Sequence, residues 1–104
     1  MKIWKFYETH RWIQRDFIVD EHDMHFPLVR FLKIRDEIAE DPTAYPLYGF
    51  CISGAMGICY PDFTQRIAIS RKLWETLYES PVEWNDRKTR TKEDVVALCK
   101  ALDI

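Results

Sequence analysis

The sequence predicts a mostly α-helical single domain over residues 1–104, a compact bundle of about four to five short helices with at most a short N-terminal hairpin or strand pair. A small α+β fold is the alternative. From Pro27 onward, apolar residues recur at intervals of three and four, which is the repeat of helices with one buried face. Prolines and capping residues divide this region into short segments. A chain of 104 residues has room for one core and not for two domains.

The N-terminal quarter of the chain has the weakest pattern. The spacing of Ile3 and Tyr7 favours a short helix within residues 2–12, although alternating aromatic residues leave a strand open. Imperfect alternation over residues 12–19 predicts an extended segment. The polar run over residues 20–23 predicts a turn.

Two helices are predicted in the middle of the chain. The first has about three turns, starts at Pro27 and stops before Asp41, where a loop with two prolines begins. The second has Tyr48, Cys51 or Ile52, Ala55 and Cys59 on one face. Glycines within it indicate close backbone packing, because each costs about 1 kcal/mol against alanine in a helix.

Two further helices are predicted in the C-terminal half. One covers residues 63–79, with Asp62 as its N-cap and Ser80 at its end, although residues 67–69 also suit a brief strand. The last helix starts at Thr91, because Asp94 follows at the spacing of a capping box.

The segment before the last helix, Trp84-Asn85-Asp86, is interpreted as a polar turn. A tryptophan beside such a turn can fill the core where the following helix packs. We therefore expect Trp84 to be buried.

Composition excludes several classes of function. Net charge is −2, so no global field favours nucleic acid or an anionic membrane. No apolar run approaches the ~20 residues that span a bilayer, so no membrane association is expected. Aromatic residues make up 14% of the chain, more than a small core readily encloses. Some should be exposed, where aromatic side chains are typical anchors for a protein partner.

Three cysteines suggest the compartment. Their number is odd, which leaves at least one without a disulfide partner, and Cys51, Cys59 and Cys99 have no C-x-x-C spacing. No signal-peptide pattern follows Met1. A reducing cytoplasm is therefore predicted.

A metal site is one candidate for chemistry. The turn at residues 20–25 contains Asp20, His22, Asp23 and His25, whose oxygen and imidazole groups suit divalent transition ions. Neighbours within one turn point in different directions, however, and an acidic solvated turn is the preferred interpretation. Neither a metal nor another cofactor is expected.

A cysteine nucleophile is the second candidate. Cys51 lies near a predicted helix start, where the helix dipole can lower a thiol pKa. Catalysis would also need a base and an orienting group, for which the sequence offers His10, His22 or His25, and Asn85 or Asp86. Because free cysteine is commonly a small buried hydrophobe, an enzyme is not favoured.

Two charged clusters are candidates for binding. The basic cluster, at the predicted start of the last helix, can bind phosphate or nucleic acid, but carboxylates interrupt it; its members are Arg87, Lys88, Arg90 and Lys92. The acidic cluster is a candidate surface for a basic partner, and its members are Asp36, Glu37, Glu40 and Asp41.

Three short motifs together resemble a family of small uncharacterised proteins, common in phages and actinobacteria and described only as a domain of unknown function. The motifs are Trp12-Ile13-Gln14, then Cys51-Ile52-Ser53-Gly54-Ala55, then Trp84-Asn85-Asp86 with Arg90-Thr91. The chain departs from the family in having Arg15 in place of a small residue and a longer segment over residues 24–46. The resemblance implies a compact, largely helical fold and a mobile-element setting, and it transfers no catalytic role.

The function predicted from these observations is a small non-enzymatic interaction protein, encoded by a phage or mobile element, that binds and modulates a host or defence protein. The alternatives are a cysteine-dependent hydrolase or transferase centred on Cys51, and a phosphate- or nucleic-acid-binding module using the basic cluster. The sequence leaves the oligomeric state and the identity of the partner open.

Overall fold

The computed structural model describes residues 1–104 as an α+β fold with six helices and one three-stranded sheet. The helices are α1 (Ile3–Phe6), α2 (Leu28–Glu40), α3 (Ile52–Cys59), α4 (Phe63–Leu77), α5 (Pro81–Asn85) and α6 (Lys92–Leu102). The strands are β1 (Arg11–Trp12), β2 (Ile18–Val19) and β3 (Gly49–Phe50). None of the helices is both long and apolar enough to cross a membrane.

The sheet has the strand order β1-β3-β2, with β3 in the centre. β1 runs parallel to β3, with Trp12 opposite Phe50, and β2 runs antiparallel to β3, with Ile18 opposite Phe50. The prediction of at most an N-terminal strand pair is therefore wrong, since a third strand from the middle of the chain lies between β1 and β2. Each strand has only two residues, which is too short to give a period in the sequence.

The sheet sets where two of the predicted helices begin or end. The short N-terminal helix forms as α1, with Tyr7 as its C-cap, and the chain then turns into β1. The helix expected to include Tyr48 begins only at Ile52, after β3. Cys51 is its N-cap, with Sγ accepting a hydrogen bond from the N–H of Gly54 at 3.4 Å. Cys51 therefore lies at the junction of strand and helix.

The C-terminal helices follow the predicted caps. Asp62 caps α4 by accepting a hydrogen bond from the N–H of Gln65 at 2.9 Å, and the alternative strand at 67–69 does not form. Thr91 and Asp94 form the reciprocal capping box at the start of α6. The short helix α5 was not predicted, although Ser80 caps it and a proline occupies its first turn.

The core lies between the sheet and the inner faces of the helices. Its fully buried side chains come from α1, α2, α3, α4 and α6, and include Ile3, Phe6, Ile34, Ile38, Ile52, Leu73, Val95 and Cys99. Tyr7 is buried among them, and its hydroxyl donates to the carbonyl of Phe50 at 2.9 Å. This bond fixes α1 against the central strand.

Candidate functional site

The three motifs noted in the sequence meet at the side chain of Asn85, which is fully buried at the end of α5. Its Oδ1 accepts hydrogen bonds from the indole N–H of Trp12 at 2.7 Å and from the N–H of Ile52 at 3.0 Å. Its Nδ2 donates to the carbonyl of Ile13 at 3.1 Å and to Oδ1 of Asp86 at 3.0 Å. The amide therefore joins β1, the start of α3 and α5, and both of its polar atoms are satisfied.

Gln14 and Asp86 extend this network. The Nε2 of Gln14 donates to the carbonyl of Asn85 at 2.9 Å and to that of Arg87 at 2.6 Å, and Oδ1 of Asp86 accepts from the N–H of Arg15 at 3.0 Å. Arg15 has a φ of 66°, in the left-handed region that few L residues adopt. The bond to Asp86 satisfies the backbone of this turn.

Trp84 corrects an expectation, because it is only half-buried while its neighbour Asn85 occupies the buried position. The guanidinium carbon of Arg90 lies 3.9 Å from the centre of the Trp84 ring. The Nε of Arg90 also donates to the Trp84 carbonyl at 3.0 Å. Arg90 thus covers the outer face of the tryptophan, where solvent would otherwise reach it.

The glycine of the second motif lets the chain at Phe17 cross closely over α3. A Cβ on Gly54 would lie 2.4 Å from the carbonyl oxygen of Phe17, and that oxygen accepts a hydrogen bond from the N–H of Cys51 at 3.1 Å. While its backbone is held against the helix, the Phe17 side chain is 48% exposed. An aromatic ring thereby stands at the surface on a fixed backbone.

A cavity of about 270 Å³ lies on one side of Phe17, and its lining includes Cys51, Asp86 and Val82. The Cys51 side chain is buried, and burial raises the pKa of its thiol. Hydrogen bonds from the N–H groups of Gly54 and Ser53 oppose this shift, and the charge of Asp86 raises the pKa further. The net effect favours the neutral thiol, whereas a nucleophile needs the thiolate.

None of the three histidines hydrogen-bonds to Cys51. His10 is buried, with its ring stacked on Phe6 at 4.1 Å and its Nε2 2.6 Å from the carbonyl of Ala44. The exposed side chains of His22 and His25 have Glu21 and Asp16 as their nearest carboxylates. The cysteine, base and orienting group considered from the sequence are therefore not assembled, although Asp86 does reach the cavity.

An apolar groove of about 390 Å³ lies on the other side of Phe17, between α2, α3 and α4. Its apolar lining consists of Phe17, Leu28, Phe31, Leu32 and Met56. Leu28 is 69% exposed and Leu32 39% exposed, so the groove has large apolar side chains in contact with solvent. A further cavity of about 200 Å³ shares Phe17, Leu28 and Phe31 with it. We call the five apolar residues that line the groove, Phe17, Leu28, Phe31, Leu32 and Met56, the Phe17 surface.

Gly57 on α3 forms part of the floor of the groove. A Cβ at this position would lie 3.1 Å from Cζ of Phe31 and 3.9 Å from Cζ of Phe17. The two phenyl rings, whose centres are 5.5 Å apart, therefore pack directly against the helix backbone. The floor is closely packed and the exposed rim is apolar, a combination typical of binding sites.

The basic cluster does not form a common binding point. Arg87 pairs with Glu79 at 2.6 Å, and Nζ of Lys92 donates to the carbonyl of His10 at 3.1 Å. Arg90 is packed on the tryptophan ring as described above, which leaves Lys88 exposed. Three of the four cations thus have partners within the chain, and the predicted phosphate site gains no geometric support.

The acidic cluster is also divided among local contacts. Glu37 accepts from the hydroxyl of Tyr45, and Asp36 lies 3.5 Å from Nε of Arg35. Asp41 accepts from the hydroxyl of Thr43 at 2.8 Å, a bond that lowers the pKa of this carboxyl together with a second one from the Thr43 N–H. Glu40 is exposed. These carboxylates are accessible, but they do not point to one contact surface.

The turn considered for a metal is organised by Asp20. Its Oδ1 accepts from the N–H of His22 at 2.8 Å and from that of Met24 at 3.1 Å, and these bonds, that from Met24 foremost, lower the pKa of the Asp20 carboxyl. Asp23 pairs with Arg11 at 3.0 Å. No three His, Cys, Asp or Glu side chains are grouped to hold a metal ion here or elsewhere in the chain.

The Phe17 surface was not identified from the sequence. The spacing of Leu28, Phe31 and Leu32 was interpreted as the buried stripe of a helix, yet only Phe31 is buried. One signal was present, since aromatic residues in excess of what the core holds predicted some exposed anchors. Which of them would be exposed depends on the crossing of Phe17 over α3, and this contact has no local pattern.

Comparisons with known proteins identify a family and no function. The model of the Family of unknown function (DUF6197) matches residues 6–102, which include all three motifs. No curated protein and no solved structure matches the chain.

Proposed function

We propose, from the premise that the chain belongs to DUF6197, that it is a small non-enzymatic interaction protein whose Phe17 surface binds a protein partner. The observation that carries this proposal is the apolar groove beside Phe17, with exposed Leu28 and Leu32 on its rim. Clustered exposed apolar side chains of this kind mark interaction sites in small proteins. Burial of the groove by a partner would remove these side chains from water.

The packing beneath the surface also supports binding. The Phe17 backbone is hydrogen-bonded to Cys51, and its ring lies against Phe31 on the glycine floor of α3. Anchors held in this way lose little conformational freedom when a partner binds, and that lowers the cost of association. The interface is therefore preorganised.

The alternatives receive less support from the geometry. Burial keeps the Cys51 thiol neutral, and the histidines have other partners, so a hydrolase or transferase lacks an activated nucleophile. Within the basic cluster, Arg87 and Lys92 are engaged inside the chain, which weakens a phosphate or nucleic-acid module.

The setting implied by the resemblance defines the class of partner. In a phage or other mobile element, a small domain without a catalytic group acts by occupying a surface of a host or defence protein. The site of action would be the host cytoplasm.

Affinity capture with matched variants tests the proposal. Immobilised wild-type chain is compared with Leu32→Asp, which places a charge on the groove, and with Val29→Asp, which changes a 79% exposed residue of the same helix outside the groove. We expect a host protein that the wild type and Val29→Asp retain and Leu32→Asp loses. Isothermal titration with the purified partner should then give the same order of affinities.

Equal retention by all three chains would contradict a role for the Phe17 surface. Leu32 is partly exposed, so its substitution should leave the fold intact, and unchanged thermal melting of both variants checks this. Loss of binding by Val29→Asp alone would place the interface on the other face of α2 and would also overturn the proposal.

A further inference from the structure

The groove beside Phe17 has only one sign of charge in its lining. Its two charged residues are Arg35, from α2, and Arg66, from α4, and no carboxylate lines it. Two guanidinium groups beside an apolar floor attract an anion, and their attraction is strengthened when a partner excludes water.

Arg35 has an unmet hydrogen-bonding group. Its Nε is buried and has no hydrogen-bond partner, and it is the one such side-chain polar atom in the chain. The nearest carboxylate is that of Asp36, 3.5 Å away and 75% exposed, so it gives a weak ion pair without a hydrogen bond. A buried donor without an acceptor costs free energy, so the guanidinium is not satisfied within the chain, and its terminal nitrogens remain for a ligand.

The guanidinium of Arg66 is held in place by hydrogen bonds, but no carboxylate neutralises its charge. Its Nη1 donates to the carbonyls of Tyr60 and Pro61, each at 3.1 Å, and its guanidinium lies 5.8 Å from the ring centre of Phe63. The ion pairs of the chain involve other residues, so this charge has no carboxylate within 4.0 Å. A fixed guanidinium of this kind is ready to accept a bidentate anion.

We propose that the groove binds an acidic amphipathic helix of a partner protein, whose apolar side chains cover Phe17, Leu28 and Leu32 and whose carboxylate binds Arg35 and Arg66. The inference rests on the proposed function and specifies the chemistry of the partner. Charge complementarity requires the carboxylate, and the apolar floor requires the large side chains beside it.

The shape of the groove fits a helical segment. Leu28, Leu32 and Arg35 line it at intervals of four and three along α2, so the groove follows this helix for about 10 Å, or two turns. A partner helix packed alongside would place apolar residues one turn apart against Leu28 and Leu32. An acidic residue one turn further along would then reach Arg35.

A peptide-display selection tests this inference. Random peptides of about 16 residues, enough for about four helical turns, are selected on the full chain after depletion on Leu32→Asp. We expect the enriched peptides to combine apolar residues at helical spacing with Asp or Glu. A labelled enriched peptide should bind Arg35→Gln and Arg66→Gln at least ~10-fold more weakly by fluorescence anisotropy.

Arg71→Gln is the matched control, because Arg71 is an exposed arginine of α4 that does not line the groove. It should bind the peptide with wild-type affinity. When the acidic residue of the peptide is replaced by its amide, the Arg35→Gln and Arg66→Gln effects should disappear. Circular dichroism of each variant verifies the fold.

The contrary outcomes separate the two proposals. Enriched apolar peptides without an acidic residue, bound equally by Arg35→Gln and Arg66→Gln, would overturn the carboxylate inference and leave the interaction function in place. No enrichment over the depleted Leu32→Asp chain would contradict both.

Discussion

The indole N–H of Trp12 donates a 2.7 Å hydrogen bond to the buried side chain of Asn85, which is 73 positions away in the chain. The same oxygen accepts from the N–H of Ile52, so a single carbonyl fixes both the end of β1 and the first turn of α3. Residues of the three sequence motifs therefore meet to hold the fold together. They place the backbone of the neighbouring residues 15–17, from which the Phe17 side chain of the Phe17 surface projects.

Replacement of Asn85 should be strongly destabilising. Asn85→Ala removes four hydrogen bonds and leaves the buried Ile52 N–H and the partly buried Trp12 indole N–H without partners. We expect the free energy of unfolding to fall by about 3 kcal/mol, since each unsatisfied buried group costs about 1–3 kcal/mol and relaxation recovers part of that. Urea denaturation followed by tryptophan fluorescence measures the change.

Trp12→Phe is the control for this network, because it keeps a ring in place and deletes one donor. A loss of about 1 kcal/mol is expected. In Asn85→Ala, the further Trp12→Phe substitution should cost less than it does alone, since the shared bond is already absent. Strict additivity of the two effects would contradict a direct coupling of Trp12 and Asn85.

Gly54→Ala should destabilise the chain despite the better helix propensity of alanine. The added methyl would lie 2.4 Å from the Phe17 carbonyl oxygen, and a backbone atom cannot move away without disturbing the Phe17–Cys51 hydrogen bond. Overpacking of this kind costs about 1–3 kcal/mol, against a gain of up to about 1 kcal/mol from propensity. Thermal melting should therefore show a lower Tm.

Gly57→Ala provides the comparison, since its methyl would meet only the edge of the Phe31 ring at 3.1 Å, which a small side-chain shift relieves. Both substitutions gain the same helix propensity, so the difference in Tm reports the contact that each methyl makes. The Tm of Gly57→Ala should fall less than that of Gly54→Ala. The same order should appear in chemical denaturation. An equal or larger effect at Gly57 would contradict the proposed close crossing at Gly54.

Local patterns predicted those parts of the fold that local interactions determine. The Thr91–Asp94 box and the Asp62 cap are formed as expected, because a cap involves residues only three apart. The strand β3 was missed, because Gly49 and Phe50 become a strand only by pairing with segments 30 or more residues distant. A strand of two residues is too short to show the alternating pattern by which strands are recognised in a sequence.

The candidate site was predicted poorly for the same reason. Asn85 and Asp86 were identified as polar turn residues, but their contacts with β1 depend on the whole tertiary fold. The charge clusters were visible as runs, whereas the ion pairs that engage them, such as Arg87 with Glu79, were not. The apolar stripe of α2 is wider than the part of the core that it packs on. Only the structure shows that Leu28 lies on the exposed part of this stripe.

The capping box at the start of α6 should make a measurable contribution to stability. Thr91 accepts the N–H of Asp94 at 3.2 Å, and Asp94 accepts the N–H of Thr91 at 3.0 Å. Thr91→Ala removes the first bond, and we expect a loss of about 1 kcal/mol in urea denaturation. Thr89→Ala, an exposed threonine outside the helix, should change stability by less than about 0.5 kcal/mol. Equal effects would show that the cap contributes nothing specific.

Alkaline pH should destabilise the chain through its buried thiols. Burial raises the pKa of Cys59 and of Cys99 to about 12. In the unfolded chain the same thiols ionise near their ordinary pKa of about 8.5. Because the folded chain then binds more protons than the unfolded one, this contribution to stability is fully present below pH about 8.5 and is lost as the pH rises toward 12.

The slope of stability against pH tests this assignment. Under reducing conditions, each thiol should lower the free energy of unfolding by up to about 1.4 kcal/mol per pH unit once the pH exceeds about 8.5. Measurements between pH about 7 and 9.5 avoid most of the contribution of buried Tyr7, whose pKa burial also raises above its ordinary value near 10. A Cys59→Ala, Cys99→Ala chain should be less stable at neutral pH but should lose less stability across this range. Parallel curves for the two proteins would assign the alkaline loss to other groups, because the substituted chain has neither thiol to ionise.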